Sequence, residues 1–88
     1  MKEQEFEKIF KALANRRRLK ILKYLKSKSP AVVGDIADNI NLSFKATSKH
    51  LLILSNAGIV EKEQISLNMF YSISPTKHQI VSKLLSII

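Results

Sequence analysis

The sequence predicts a mainly helical domain that carries one small β-hairpin, in the order α-α-α-α-β-β-α. Apolar residues recur every three or four positions as far as residue 56, and an alternating pattern replaces that period after Gly58. The helical period then returns near the C-terminus. With 88 residues, no internal repeat and no Gly/Ser-rich linker, the chain fits one domain spanning residues 1–88.

The first two helices are predicted on either side of Asn15. The first is marked by apolar residues at i, i+3, i+4 and i+7, namely Phe6, Ile9, Phe10 and Leu13. Asn15 is a favourable N-cap for a second helix that begins near Arg16. Pro30 disfavours helix in the residue before it and therefore ends that helix.

The next segment predicts two shorter helices joined by a turn. Residues 31–33 (AVV) can pair as a short edge strand, and a third helix follows over about 34–40. Ser43 is a good N-cap for a fourth helix over about 44–56, and Gly58 suits the left-handed position that ends it. The buried stripe of the fourth helix falls at i, i+4 and i+7, on Thr47, Leu51 and Leu54.

Two alternating segments after Gly58, IVEKEQI and MFYSIS, predict an antiparallel hairpin. We place its turn at residues 66–68, with Asn68 as the residue that best tolerates positive φ. Ser74-Pro75 is predicted to start a last, strongly apolar helix, with proline at its first position. Two short helices joined by a turn and followed by a hairpin constitute a winged helix-turn-helix.

The charge distribution indicates a polyanionic partner. The formal net charge is +8, and residues 16–28 alone carry seven basic side chains and no acidic one. Lys45 and Lys49 add two more on the predicted fourth helix. A solvated lysine-rich surface would look the same, so the charge becomes informative only on a scaffold that binds nucleic acid.

Several classes of function are disfavoured by composition. The chain has no cysteine, which excludes disulfides, cysteine zinc sites and thiol chemistry and fits a reducing cytoplasm. Neither a signal peptide nor a membrane span is expected, and we predict a cytoplasmic protein without a membrane partner. No catalytic constellation can be assembled, so we expect no enzyme, no cofactor and no metal.

His50 can be interpreted in three ways. A metal ligand would need partners one helical turn away, and a catalytic base would need a nucleophile and an orienting acid. We favour the third interpretation, a partly buried histidine at the edge of the fourth helix that makes a hydrogen bond to backbone or to phosphate. His78 is expected to be an exposed residue in the first turn of the last helix.

From about Phe10 to Ile73 the chain resembles the ArsR-type winged-helix transcriptional repressors. FKALANRRRLKILKYL is similar to the opening pattern of that family, and LSFKATSKHLLILSNAGIVEKE to its recognition segment. The matching positions there are Ser43, Ser48, His50, Leu51, Leu54, Ala57, Gly58 and Val60. The C-x-C sensing motif is replaced by AVVGDIADNI, and of the C-terminal metal ligands only His78 is present. The hairpin tip, QISLNMF, also lacks the Gly and Arg that such wings commonly carry.

The recognition segment and the basic helix supply the candidate DNA contacts. They are Ser43, Phe44, Lys45, Thr47, Ser48, Lys49 and His50, with Arg16, Arg17 and Lys62 outside the fourth helix. Residues near the N-terminus of a recognition helix read base edges in the major groove. Phe44 could touch a thymine methyl group or pack locally. The first-turn arginines could bind DNA phosphate or pair with Glu5, Glu7, Asp35 or Asp38, and Arg18 is expected to be structural or to form such a pair.

The first and last helices are too apolar for so small a core, which predicts a homodimer. The candidate interface residues are Phe6, Ile9, Phe10, Leu13, Ile80, Val81, Leu84, Leu85 and Ile88. The sequence thus predicts a homodimeric, sequence-specific double-stranded DNA-binding repressor that acts by promoter occlusion. The alternative is a winged-helix module that binds protein through exposed Leu67 and Phe44. No small-molecule effector is identified by the sequence.

Overall fold

The computed structural model describes residues 2–88, and it confirms the predicted order of helices and hairpin with one strand added to the sheet. The sheet is antiparallel, with strand order β1-β3-β2. The elements are α1 (Glu3–Leu13), α2 (Arg16–Lys28), β1 (Ala31–Val32), α3 (Val33–Ile40), α4 (Phe44–Asn56), β2 (Val60–Ile65), β3 (Asn68–Ile73) and α5 (Gln79–Ile87).

Short polar side chains begin α2 and α4 as predicted. Asn15 Oδ1 accepts hydrogen bonds from the backbone N–H of Arg17 at 3.0 Å and of Arg18 at 3.1 Å. Ser43 Oγ accepts one from Ala46 N–H at 3.1 Å. Both caps satisfy amides that the first helical turn leaves without a partner, which fixes where each helix starts.

The end of α4 is also as predicted. Gly58 takes φ 72°, its N–H bonds the carbonyl of Ser55, and Ile59 N–H bonds the carbonyl of Leu54. These two bonds define a Schellman motif, in which the left-handed residue reverses the chain out of the helix. The reversal directs the chain immediately into β2.

The turn between α3 and α4 depends on a second left-handed residue. Asn41 takes φ 55°, and Leu42 N–H bonds the carbonyl of Ala37 at 3.0 Å. Only Leu42 and Ser43 then remain before α4, so the two helices form a tight helix-turn-helix. Residues 31–33 behave largely as expected, because Ala31 pairs with Tyr71 and makes β1 an edge strand.

The hairpin turn differs from the prediction in one respect. The residue with positive φ is Ser66, at 58°, whereas Asn68 already lies in β3 opposite Ile65. The loop therefore contains only Ser66 and Leu67. A two-residue loop matches the twist of the flanking strands when its first residue is left-handed, and the register places Ser66 there.

The start of the last helix was predicted wrongly. Residues 74–77 form a turn, in which Ser74 Oγ accepts from Thr76 N–H and Lys77 N–H bonds the carbonyl of Ser74. A serine side chain that bonds the backbone two residues on competes with helix formation. α5 therefore begins at Gln79, and His78 is its N-cap, with Nδ1 accepting from Ile80 N–H at 3.0 Å.

His78 is consequently half-buried rather than exposed. Its ring meets the edge of the Phe6 ring with centroids 5.4 Å apart, and Phe6 in turn stacks on Phe10 at 6.1 Å. The cap thus ties the start of α5 to α1. These two helices carry most of the residues predicted to dimerise.

One hydrophobic core connects all five helices and holds α4 in place. Leu51 and Leu54 are both fully buried, and each such side chain contributes about 1.5–3 kcal/mol to the folded state. The other fully buried aliphatic side chains belong to Ile21, Leu22, Leu25, Ile36, Ile59 and Val81.

The helices within residues 2–88 include none with the length and hydropathy of a membrane span.

Thr47 is the polar exception in this core. It has no exposed surface, and its Oγ1 has no hydrogen-bond partner among the described residues. A buried hydroxyl without a partner costs about 1–3 kcal/mol of desolvation. We therefore expect Thr47→Val, which keeps the shape and removes the hydroxyl, to raise the free energy of unfolding by about 1 kcal/mol.

Urea denaturation followed by circular dichroism measures this effect. Thr47→Ala is the matched control, because it also removes the hydroxyl but leaves a cavity and should not stabilise. A Thr47→Val variant less stable than the wild type would show that Oγ1 makes a stabilising hydrogen bond.

Candidate nucleic-acid interface

The outward face of α4 lies opposite its buried stripe and carries two lysines. Lys45 and Lys49, one helical turn apart, are both exposed. Phe44 is 62% exposed and Leu52 54% exposed on the same helix. Local packing of Phe44, one of the two interpretations from the sequence, is therefore contradicted, and the ring is available to a ligand.

The remaining candidates on α4 occupy different positions. Thr47 cannot contact DNA in this structure, because it is completely buried beneath the helix, so its inclusion among the DNA-contacting residues is corrected. Ser43 is exposed, but its hydroxyl already caps the helix. Ser48 and His50 are half-buried on the flanks of the exposed face.

Arg18 joins three helices from its position in α2. Its Nε donates to the carbonyl of Ala12 at 2.6 Å, and its Nη2 donates to the carbonyl of Lys11 at 3.1 Å. A guanidinium is well placed at these carbonyls, because the C-terminal end of a helix carries partial negative charge. The structural role expected of Arg18 is confirmed, but its alternative partner, an acidic side chain, is wrong.

The third contact of Arg18 reaches α4. Arg18 Nη1 lies 3.2 Å from Nδ1 of His50. Arginine has only donors, so Nδ1 must be the acceptor, and the neutral ring then carries its proton on Nε2. Burial of the imidazole, followed by the positive charges of Arg18 and Arg17, holds the pKa of His50 below its ordinary value of 6.5.

A positively charged cleft borders this histidine. It encloses about 340 Å³ between the start of α2 and the middle of α4, and it is lined by Asn15, Arg16, Arg17, Lys20 and His50. No acidic side chain lines this cleft, and the ion pair formed within residues 2–88 lies elsewhere, between Lys11 and Glu7 at 3.8 Å. Arg16 and Arg17 are exposed at the mouth of this cleft.

The wing has a different electrostatic character. Lys62 is exposed in β2 but stands between Glu61 and Glu63, both also exposed, so the three side chains sum to −1. The apex is Leu67, which is 93% exposed. Lys62 is the one basic side chain of β2, and its acidic neighbours oppose an approach to phosphate.

An apolar depression on the other side of the molecule faces solvent. It has a volume of about 400 Å³ and is lined by Phe10, Leu13, Ala14, Leu19, Ile80 and Leu84. Phe10 is 51% exposed, and Phe6, Ile80, Leu84 and Ile88 are partly buried. Ala14 and Leu19 also line the depression but were not among the residues predicted to dimerise.

Four of the nine predicted dimerisation residues belong mainly to the core of the protomer. Ile9, Leu13, Val81 and Leu85 are at most 8% exposed, and Val81 has no exposed surface. For Ile9, Val81 and Leu85 the expected contact with a second copy is corrected, since their side chains pack within the chain. Leu13 is buried as well but still forms part of the wall of the depression.

A tight helix-turn-helix with an exposed basic helix and an adjoining hairpin defines the winged-helix class of DNA-binding regulators. Residues 15–62 match the family model described as bacterial regulatory protein, arsR family. The chain belongs to this family of transcription regulators, as its resemblance to ArsR-type proteins predicted.

Two characterised relatives show what family members do. The chain is 35% identical over 92 residues to the transcriptional activator HlyU of Vibrio cholerae, covering 97% of this chain and 84% of that protein. It is 35% identical over 68 residues to the transcriptional repressor SdpR of Bacillus subtilis, covering 77% and 74%. Both are regulators of transcription rather than enzymes.

Solved structures agree with the fold. A Mycobacterium bovis winged helix-turn-helix DNA-binding domain, determined by NMR as a homodimer, superposes with a TM-score of 0.82 at 28% identity, covering 96% of this chain and 74% of that one. The structure of HlyU from Vibrio cholerae gives 0.82 at 30% identity, covering 99% and 92%.

The described residues contain no group of three or more His, Asp or Glu side chains that could hold a metal ion.

Arg18 and His50 are 32 positions apart, which explains why sequence reasoning did not connect them. Their types and spacing gave no signal beyond the family pattern.

Proposed function

We propose that this protein is a homodimeric, sequence-specific double-stranded DNA-binding regulator that represses transcription by occupying a promoter. Each chain would supply one DNA-binding domain spanning residues 1–88 and act in the cytoplasm, where bacterial DNA is found. The proposal is carried by the exposed face of α4, on which Lys45 and Lys49 project from a helix fixed by its own core residues.

The arrangement suits the major groove. Lys45 and Lys49 can donate to guanine or to phosphate, Ser48 can donate at the flank, and Phe44 can touch a thymine methyl group. Arg16 and Arg17 would bind the phosphates beside the groove. Two such surfaces in a dimer would read half-sites about 34 Å apart on a palindromic operator.

The dimer would form through the apolar depression between α1, α2 and α5. Its walls are almost entirely apolar, and an exposed apolar surface on a small domain is typically covered by a partner. The homodimeric state of the Mycobacterium bovis domain supports a second copy as that partner. From the predicted set, Phe6, Phe10, Ile80, Leu84 and Ile88 keep exposed surface for it, and Leu13 contributes to its wall.

Selection of bound sequences from random duplex DNA tests the proposal. We expect enrichment of an inverted repeat whose half-sites are one helical turn apart. Recovery of no sequence preference at low salt would overturn sequence-specific binding. One of the relatives is an activator and another is a repressor, so the direction of regulation is tested separately. The measurement is in vitro transcription from a promoter that overlaps the selected site. Increased transcript would overturn repression but not DNA binding.

A protein-binding module is the second candidate, and the wing favours it. Leu67 is 93% exposed at the hairpin apex, and the charge beside it is acidic rather than basic. If the Lys45→Ala, Lys49→Ala variant and the wild type both fail to bind DNA while a Leu67→Glu variant loses a protein partner, this alternative replaces the first.

A further inference from the structure

We propose that Arg18 is a positioning residue for DNA binding: by donating to Nδ1 of His50 it holds the imidazole with its Nε2 proton directed to a DNA phosphate in the cleft between α2 and α4. The inference rests on the proposed DNA-binding function and adds to it a contact independent of base sequence.

The first step in the argument is that Arg18 itself is fixed. Two backbone carbonyls, of Lys11 and Ala12, already accept from its Nη2 and Nε. The guanidinium plane is therefore held in three dimensions before it meets His50. Because the guanidinium is planar and two of its nitrogens are hydrogen-bonded, the third nitrogen has little freedom to move.

The second step concerns the proton of His50. Because Nδ1 must accept from Arg18, the neutral ring has its proton on Nε2, and no group among residues 2–88 accepts from that nitrogen. The ring is half-buried and also lines the cleft. His50 therefore presents a free donor beside a cavity whose other charged groups are all cationic.

The third step identifies the acceptor. Arg16, Arg17 and Lys20 surround the same cleft, and Asn15 Oδ1 already occupies the amides of Arg17 and Arg18. With those two amides occupied, side chains supply most of the donors that a ligand could use there. Three cations and one neutral N–H donor suit a singly charged oxyanion that bridges them, and a backbone phosphate next to the major groove has that chemistry.

The charged groups around His50 also predict how acid affects the contact. Arg17 and Arg18 face it from α2. A second cleft, on the other side of Arg18, is lined by Lys8 and Lys11 of α1, and no acidic side chain lines either cleft. Protonation would replace the Nδ1 acceptor by a second cation facing Arg18. Acidification should therefore break the pair and release the ring.

The sign of the effect on folding follows from the lowered pKa of His50. Between the folded pKa and the ordinary value of 6.5 the unfolded chain binds more protons, so stability rises with pH across that window. The stability that the half-buried neutral ring contributes is therefore fully present above pH 6.5 and is lost as the pH falls from 6.5 through the folded pKa.

Two isosteric replacements separate the nitrogens of His50. Asparagine places a polar atom where Nδ1 lies and so can still accept from Arg18, but it has no outward donor. Glutamine places its amide N–H₂ where Nε2 lies and so can still donate to phosphate. Affinity for a selected operator and for a random-sequence duplex is measured for the wild type and both variants, together with urea stability at pH 7.5 and pH 5.5.

We expect His50→Asn to bind both the operator and the random duplex about tenfold more weakly per half-site. The loss should be equal for the two duplexes, because one hydrogen bond to a charged acceptor is removed in each. His50→Gln and Arg18→Lys each keep an outward donor but lose the contact that positions it, so both should bind about threefold more weakly than the wild type, between the wild type and His50→Asn. The wild type should lose more stability than His50→Asn between pH 7.5 and pH 5.5.

Equal binding by wild type and His50→Asn would overturn the inference, as would equal loss in the Asn and Gln variants. A loss confined to the operator would show that His50 reads a base and would overturn the phosphate assignment. If the wild type binds neither duplex, the proposed DNA-binding function itself fails. This result differs from failure of the His50 inference, in which the wild type binds DNA but the variants do not differ from it as expected.

Discussion

Replacing both Lys45 and Lys49 by alanine should weaken operator binding by roughly a thousandfold, because each lysine is exposed on the face of α4 that we propose enters the major groove. A side chain that donates to a base or a phosphate contributes about 1 kcal/mol or more, and a dimer carries two copies of each. Four such contacts amount to about 4 kcal/mol.

The salt dependence separates the two kinds of acceptor. Each lost phosphate contact lowers the slope of log K against log salt by about 0.9, whereas a lost base contact reduces discrimination between operator and random duplex. Fluorescence anisotropy at several salt concentrations measures both quantities. Lys2→Ala with Lys26→Ala is the matched control, since both side chains are exposed outside α4 and the net charge falls equally. Equal affinity losses in the two double variants would contradict a specific role for α4.

A glutamate in place of Phe10 should dissociate the dimer. Phe10 is 51% exposed in the protomer and lines the apolar depression, so the charge is tolerated by one chain but not between two apolar surfaces. An aromatic anchor at an interface contributes about 2 kcal/mol, and two-fold symmetry counts it twice, which predicts a dissociation constant roughly a thousandfold higher. Sedimentation velocity at micromolar concentration measures this shift.

DNA affinity should fall with the dimer, because a second half-site is engaged at high effective concentration only when the two chains are linked. Leu67→Glu introduces the same charge at another exposed apolar residue, far along the wing, and should leave the protein dimeric. Circular dichroism confirms that each variant is folded. A folded Phe10→Glu protein that remains a dimer would exclude the depression as the interface.

Local sequence signals predicted the helix boundaries that depend on a single residue. Asn15 and Ser43 cap their helices and Gly58 ends α4, because each of these effects is decided by the residue itself and its nearest neighbours. The start of α5 was predicted wrongly because more than one residue in that segment can begin a helix. Both Pro75 and His78 can begin a helix, and the turn made by Ser74 decided between them.

Contacts between distant segments were beyond sequence reasoning. The 3.2 Å approach of Arg18 to His50 depends on how α2 packs against α4, and no pattern within either helix encodes it. Leu19 and Ala14 likewise line the apolar depression because of how α1, α2 and α5 pack together, which no single helix encodes. Thr47 illustrates the reverse case, in which a residue type suited to DNA contact is placed in the core by the helical period.

The position of β2 at the edge of the sheet has a consequence for self-association beyond the dimer. Its outer backbone groups are free to pair with a β2 strand of another molecule, which is the usual route to aggregation. In a symmetric antiparallel pairing centred on Lys62, each Lys62 would face its equivalent and each Glu61 would face Glu63 of the other strand. The central cross-strand pairs, Lys62 with Lys62 and Glu61 with Glu63, would then be like-charged, and such pairs are destabilising. The alternating charges of the wing thus disfavour edge-to-edge pairing of this exposed strand between molecules.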